Sequence, residues 1–504
     1  MQGGGVTIRI PTLKTKLDMI KHLAPLVLAP FLILISSTPA SAADPRIDSW
    51  FTELSGKYAR VYLTDAARFS GNAVTTWSRG AISQALPAYC GVYEVSSSAN
   101  WAYVRSTGLG SHTMGPWYGD AAHANLFMNV PKSSATLFRI SRAPTVPATK
   151  TLTGGGPIGV FVDGVIMFDS RDAFAVSAPS GTEANPGLGI WNRDAFVNEG
   201  VTFDPANAHQ PGSGQYHYHA SAVALRHLVR DNVNLDPVTK LYSENTNNTA
   251  PAHSPILGWV RDGFPVYGPY GYANATNPAG AVRRMISGFV PRDVGIAPVA
   301  NRTTLPVWAG RAQNRSTTLA AAQYGPAVST ARPFGRYLED NDYLGDLGFV
   351  QGAHFDLDEF NGRYCVTPEF PNGTYAYFTA ISGNGTPVFP YNIGRQYFGN
   401  PSGGVVMGGA YPEAVTTNFL GGANSTLRAQ TPVVSNSDVT LTWSSVEGGS
   451  YVVASSTNLP AWTTNGSSVT ATGSVTRATE VGGASGRPQR FYRVQRTGVA
   501  PYAN

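Results

Sequence analysis

Gly214-Gln215-Tyr216-His217-Tyr218-His219-Ala220 is the stretch from which the rest of the chain is read. Its alternation of tyrosine and histidine has the period of a β-strand, in which successive side chains point to opposite faces. His217 and His219 then share one face, and Tyr216 and Tyr218 the other. Two imidazoles on one face can hold a single transition metal once a third ligand folds over them. The chain has nine histidines, and five of them (His209, His217, His219, His227, His253) fall within residues 209–253. One segment thus carries both a strand signal and the densest chemistry of the sequence.

His209 is the nearest candidate for the third ligand, across the loop Gln210-Pro211-Gly212-Ser213-Gly214, which is long enough to fold it back over the strand face. Asp204, in Phe203-Asp204-Pro205, is the other candidate, and His253 is a more distant one. Three nitrogens suit zinc, copper or iron, with copper and zinc the first choices; a carboxylate in place of one nitrogen suits catalytic zinc or non-haem iron. Tyr216, Tyr218, His253, Asp262 and His112 are the candidates for the surroundings of such a site. In the competing reading the histidines are half-buried strand residues bonded to backbone or carboxylates. A metal-free general base would pair a histidine with Asp262 or Asp163. Both aspartates are already explained as turn formers, however, and no G-x-S-x-G elbow is present.

Two hairpin signals bracket the cluster. Val160-Phe161-Val162-Asp163-Gly164-Val165-Ile166-Met167-Phe168 precedes it, and Gly258-Trp259-Val260-Arg261-Asp262-Gly263-Phe264-Pro265-Val266-Tyr267 follows it. Asp-Gly between apolar runs is a favoured two-residue turn, because both positions tolerate positive φ. The two segments also share a glycine and a terminal aromatic, a match read here as common turn chemistry rather than duplication. Asp356-Leu357-Asp358-Glu359 lacks the spacing of a calcium loop and reads as an acidic cluster either solvated or paired with the nearby Arg363. Charged residues are only 13% of the chain, against 55 glycines, 36 prolines and 24 tyrosines, which suits short strands and tight turns and argues against a helical bundle. The expected fold is mainly β: a multi-stranded β domain with long loops and few short helices, followed by a small C-terminal β-sandwich.

Residues 1–42 read as a secretory signal peptide, with Met19 the more ordinary start, the apolar run 23–35, and Ala40-Ser41-Ala42 for cleavage. The run is too short for a membrane span. Four bases and one acid lie in that leader, so the formal charge of +5 falls to about +2 without it, and no basic footprint for nucleic acid remains. The mature chain is expected to be secreted or periplasmic. In such a compartment Cys90 and Cys365 are a disulfide candidate, with two separate buried thiols as the alternative. Residues 43–428 read as the main domain and 429–438 as a linker. Residues 439–504 read as an accessory β-sandwich near the lower size limit for a core of its own, with cell-surface or glycan contact as its expected role. The alternative function for the whole chain is a metal-free surface module that binds glycans or protein partners through aromatics such as Tyr267-Gly268-Pro269-Tyr270-Gly271-Tyr272.

These segments together resemble the YHYH-domain family, mostly bacterial exported proteins named for the tetrapeptide at 216–219. The likeness rests also on Trp77-Ser78, on Ser111-His112-Thr113-Met114-Gly115-Pro116-Trp117, on Phe203-Asp204 with His209, and on Asp262-Gly263-Phe264-Pro265-Val266-Tyr267-Gly268. Leu357-Asp358-Glu359-Phe360-Asn361-Gly362-Arg363 and Gly373-Thr374-Tyr375-Ala376-Tyr377-Phe378 extend it, so that it spans about residues 70–400. It implies an exported protein and no particular reaction. Family members often carry a glycine and a cysteine about the position of His209, where this chain has Asn207-Ala208-His209, so no cysteine ligand is carried over. The tail from 439 resembles a sandwich module common at the ends of exported verrucomicrobial-type proteins, through Thr442-Trp443 and Arg490-Phe491-Tyr492-Arg493-Val494.

Overall fold

Asp163-Gly164 and Asp262-Gly263 make the two tight turns on which the main sheet is built, and only the glycines take the left-handed backbone there, at φ 83° and 87°. The computed structural model describes residues 5–11, 44–294, 298–486 and 489–503. The first turn joins β1 (Pro157–Phe161) to β2 (Ile166–Phe168), and β3 (Ala208–His209) and β4 (His217–Tyr218) follow. The second turn joins β5 (Ile256–Val260) to β6 (Pro265–Tyr267), and β7 (Gly362–Cys365) and β8 (Thr374–Phe378) follow. The eight strands lie in the order β3-β4-β2-β1-β5-β6-β8-β7. β4 runs parallel to β2 and β8 parallel to β6, while the other neighbours are antiparallel.

That order is unchanged when β1–β4 are exchanged for β5–β8 and the sheet is read from its other end. The register obeys the same exchange. Val160 pairs with Trp259 at the centre, flanked by Gly159 with Val260 and Phe161 with Gly258. Met167 faces Tyr218 as Val266 faces Tyr377, and Ala208 faces Tyr218 as Gly362 faces Tyr377. Side chains follow suit. Tyr216 donates to Asp204 at 2.8 Å and Tyr375 to Asp358 at 2.8 Å, and Asn207 and Asn361 both sit at φ 69°. The hairpin likeness is therefore one part of an internal duplication, and its attribution to turn chemistry alone is corrected. The repeat escapes a sequence reading because the connection leading to β7 is more than twice as long as the one leading to β3.

The fold is mainly β, and among the described residues the α-helices reach only six residues. A second sheet of five strands (Gly404–Val405, Thr136–Ser141, Trp101–Ser106, Val92–Ser97, Thr416–Leu420) belongs to the same unit. A buried aromatic cluster there includes Trp191, Phe289, Trp308, Tyr337, Phe389 and Tyr391.

The chain divides into two compact units, Ser49–Asn424 with Pro501–Asn504, and Met1–Asp48 with Ser425–Ala500. The second unit has a five-stranded and a three-stranded sheet, around a core that includes Val439, Leu441, Trp443, Tyr451 and Tyr492. Its strand Asp438–Ser444 buries alternate residues, as an antiparallel sheet with one covered face requires, while Gly449–Ser456 alternates in its first half and is buried throughout from Val453 onward. Of the segment read as a signal peptide, Gly5–Pro11 is an edge strand antiparallel to Gln489–Val499, and the apolar run and cleavage site lie outside the described residues. No described helix is long and apolar enough to cross a membrane.

Candidate metal centre

β3 and β4 place His209 directly opposite His217, and residues opposite each other on antiparallel strands share a face. His219 follows two positions on, with the same orientation. The three imidazoles meet with their ring nitrogens within 4.8 Å of one another, all buried. A fourth group joins them from helix α1 (Ala195–Glu199), whose N-cap Asp194 accepts from the Val197 amide. Glu199, at the end of this short helix, puts its Oε2 at 3.2 Å from His219 Nε2 and 3.5 Å from His209 Nε2.

The outer nitrogen of each ring is committed. His217 Nδ1 lies 2.9 Å from the Gln215 carbonyl and His219 Nδ1 2.6 Å from the Asp169 carbonyl. A carbonyl only accepts, so both Nδ1 atoms carry the proton. His209 Nδ1 is 2.7 Å from Thr202 Oγ1, whose own proton goes to the Glu199 carbonyl at 2.7 Å, so that Oγ1 accepts there too. Three Nε2 lone pairs are thereby turned inward, with those of His217 and His219 only 3.0 Å apart. Lone pairs that close repel unless a cation or proton stands between them. Two nitrogens on one tetrahedral ion, each about 2.05 Å from it, are about 3.3 Å apart. Outer hydrogen bonds that fix tautomer and ring orientation in this way are the usual companions of metal-bound histidine.

Burial dominates the electrostatics. It pushes the His209 imidazolium down to about 3, with repulsion from His219 adding to the effect and Glu199 opposing it. Burial and the neighbouring imidazoles also hold His217 well below its ordinary value. Burial works to raise the Glu199 carboxyl, but the nearby His219, with His209 beside it, outweighs it and leaves Glu199 below its usual range. His209 and His217 are thus disposed to be neutral imidazole and Glu199 to be carboxylate, the forms that bind a metal. It opens on a cleft of about 470 Å³ walled in part by Phe127, Phe168, Arg171 and Asn185.

The other residues singled out in the sequence lie elsewhere. Asp204 is not beside the triad: its Oδ2 accepts from the Gly115 amide and the Tyr216 hydroxyl and its Oδ1 from the amides of Ala206 and Ala208, which builds the turn into β3. Tyr216 and Tyr218 are buried on the reverse face, with His112 Nε2 at 3.1 Å from the Tyr216 hydroxyl. His253 belongs to the second repeat, packed against Tyr267, Tyr272 and Phe378. Asp262 accepts from the Tyr377 hydroxyl at 2.6 Å. His227, on the helix Val223–Leu228, bonds the Val233 carbonyl. Asp356 pairs with Arg283 and lies 3.8 Å from Arg363, while Asp358 repeats the turn-building role of Asp204. The disulfide candidate is corrected: Cys90 and Cys365 are separate free thiols, both buried. Cys90 donates to the Leu54 carbonyl, and burial pushes it up to about 12, whereas Cys365 ends β7 opposite Thr374. The aromatic run offered as a groove is packed, with Tyr267 and Tyr270 buried. Glu199 was missed in the sequence, where an acid ten residues before His209 and outside any motif carries no signal.

The second repeat shows which of these features belong to the scaffold. Tyr216-His217-Tyr218-His219 corresponds, through the shared registers, to Tyr375-Ala376-Tyr377-Phe378, and His209 to Arg363. The tyrosines, the turn aspartate and the left-handed asparagine are present twice. The three histidines are present once.

Residues 137–389, half of the chain, match the family described as YHYH protein, and the chain belongs to that family. Comparison with curated proteins and with solved structures gave no significant match.

Proposed function

We propose that His209, His217 and His219 bind one transition-metal ion through Nε2, copper or zinc by their nitrogen-only donor set, and that Glu199 supplies the neighbouring carboxylate. The observation that carries this reading is the commitment of all three Nδ1 protons to Gln215 O, Asp169 O and Thr202 Oγ1, which leaves three lone pairs converging on one point. The duplication supports it, because the same backbone without those histidines is found in the second repeat. A structural shell is closed by four protein ligands, whereas this cluster faces a cleft large enough for a small molecule, which favours a centre that exchanges ligands. Glu199 stands within reach as a fourth ligand or as the acceptor of a proton from water in the cleft. The protein is, in this reading, exported by its leader, with residues 439–504 as an accessory surface module.

The test is elemental analysis of protein purified without a histidine tag, beside the His217→Ala/His219→Ala variant. About one equivalent of copper or zinc in the wild type and little in the variant is the expected result. Equal, negligible metal in both samples refutes the assignment.

A further inference from the structure

Arg171 shares the wall of the cleft with the three histidines. Its Nη2 donates to the Gly154 carbonyl at 2.9 Å, while its Nε–H is buried with no acceptor. Among the described residues no carboxylate pairs with it. Asp172 beside it in sequence is 2.7 Å from Arg193, and Asp169 receives the Gly155 amide at 2.8 Å and Arg395 at 3.4 Å. The loop makes room for the guanidinium: Gly155 sits at φ 79°, and a Cβ there would lie 2.6 Å from Arg171 Nη2. Burial and the neighbouring charge of Arg395 disfavour its charged form, and Asp169, Glu339 and Asp172 offset this only in part and without a salt bridge. The rest of the cleft is not a general anion trap. Glu199 and Asp172 are acidic, and Phe127 and Phe168 lie against the rings of His209 and His217 with centroids at 6.2 Å and 3.8 Å.

We propose that the cleft takes a small organic carboxylate, whose anionic end is held by Arg171 while its carbon skeleton lies along Phe127 and Phe168 beside the histidine cluster. A guanidinium matches a carboxylate as a planar fork, and one unpaired cation neutralises one carboxylate, whereas a phosphate dianion would call for a second. A cleft of about 470 Å³ is in the range for small-molecule sites. The proposal rests on the reading of the site as a metal centre for what happens at the bound molecule, but not for the recognition of its anionic end.

The experiment is calorimetric titration of the full chain with benzoate and acetate and with their uncharged amides, benzamide and acetamide. Metal content is measured on every sample, and Arg171→Gln and Arg171→Lys are titrated alongside. Wild type is expected to bind a carboxylate at least tenfold more tightly than its amide. Arg171→Gln should lose that preference at unchanged metal content, and Arg171→Lys should keep part of it. If neither carboxylate binds, or if the carboxylate preference is the same in Arg171→Gln as in wild type, the proposal is overturned. In the second case the metal alone holds the anion. If the protein proves metal-free, the metal reading fails separately, and the carboxylate preference of the metal-free protein still decides the role of Arg171.

Discussion

Replacing His217 by Ala and His219 by Phe installs at the centre the residues that the second repeat carries at the matching positions 376 and 378. The two repeats share strand order and register, so the scaffold tolerates both residues, and the change falls on metal binding. An ion present at about 100 times its dissociation constant stabilises the wild type by about 2.7 kcal/mol. The unit that holds the site has about 380 residues, and at about 2.1 cal/mol/K per residue its unfolding entropy is ~0.8 kcal/mol/K. The ion should therefore raise the melting temperature by about 3 °C in the wild type and by nothing measurable in the double variant, which keeps one nitrogen of three. The metal-free variant loses the two bonds to the Gln215 and Asp169 carbonyls, at about 1 kcal/mol each, so its own melting point drops by only about 2–3 °C. Scanning calorimetry of chelator-treated protein, with and without added zinc or copper, reads both quantities. A rise of equal size in the variant, or none in the wild type, refutes the reasoning.

Thr202→Val removes the acceptor of the His209 Nδ1 proton while preserving shape; metal affinity should drop about ten- to hundredfold, measured by competition with a chromophoric chelator, and an unchanged affinity would show that Thr202 does not orient the ring. Asp163 is fully buried, its Oδ2 has no partner, and burial pushes its carboxyl up to about 7 from its ordinary 3.8. The folded state therefore binds the extra proton between those values, so its contribution to stability is full below the unfolded value and is lost as the pH rises through about 7. Asp163→Asn should accordingly gain on wild type by a few kcal/mol between pH 4 and pH 8, at ~1.4 kcal/mol per pH unit; denaturant titrations at the two pH values that show no relative gain would refute it. Asn207→Ala puts a Cβ-bearing residue without a local hydrogen bond at φ 69° and deletes the bond to the Ser221 carbonyl; a loss of about 1–3 kcal/mol is expected by denaturant unfolding, and a neutral effect would argue against the strained turn that leads His209 into β3.

Local pattern carried much of the candidate centre. The alternation at 216–219 fixed which residues share a face, because that period belongs to any extended chain, and a short Pro-Gly loop was enough to bring His209 back. The two Asp-Gly hairpins were legible for the same reason, since their turn depends on a few adjacent dihedrals. The duplication was not, because its sequence matches are short and separated by connections of unequal length, and it shows itself in registers between distant strands. Nor was Glu199, which reaches the cluster only because α1 packs against it.

What the sequence determined by itself, then, is a mainly β chain with two imidazoles on one face of a strand and a third close behind. Only the tertiary structure decided that Asp204 builds a turn and that Glu199 joins the histidines. Only it showed that Cys90 and Cys365 stay apart and that backbone carbonyls from Gln215 and Asp169 turn the imidazoles inward. The physical reason is one of range. Side-chain direction along a strand is set by neighbouring peptide units, whereas the convergence of lone pairs, acid and cleft depends on β2 lying parallel to β4 and on helix and loops closing over that edge.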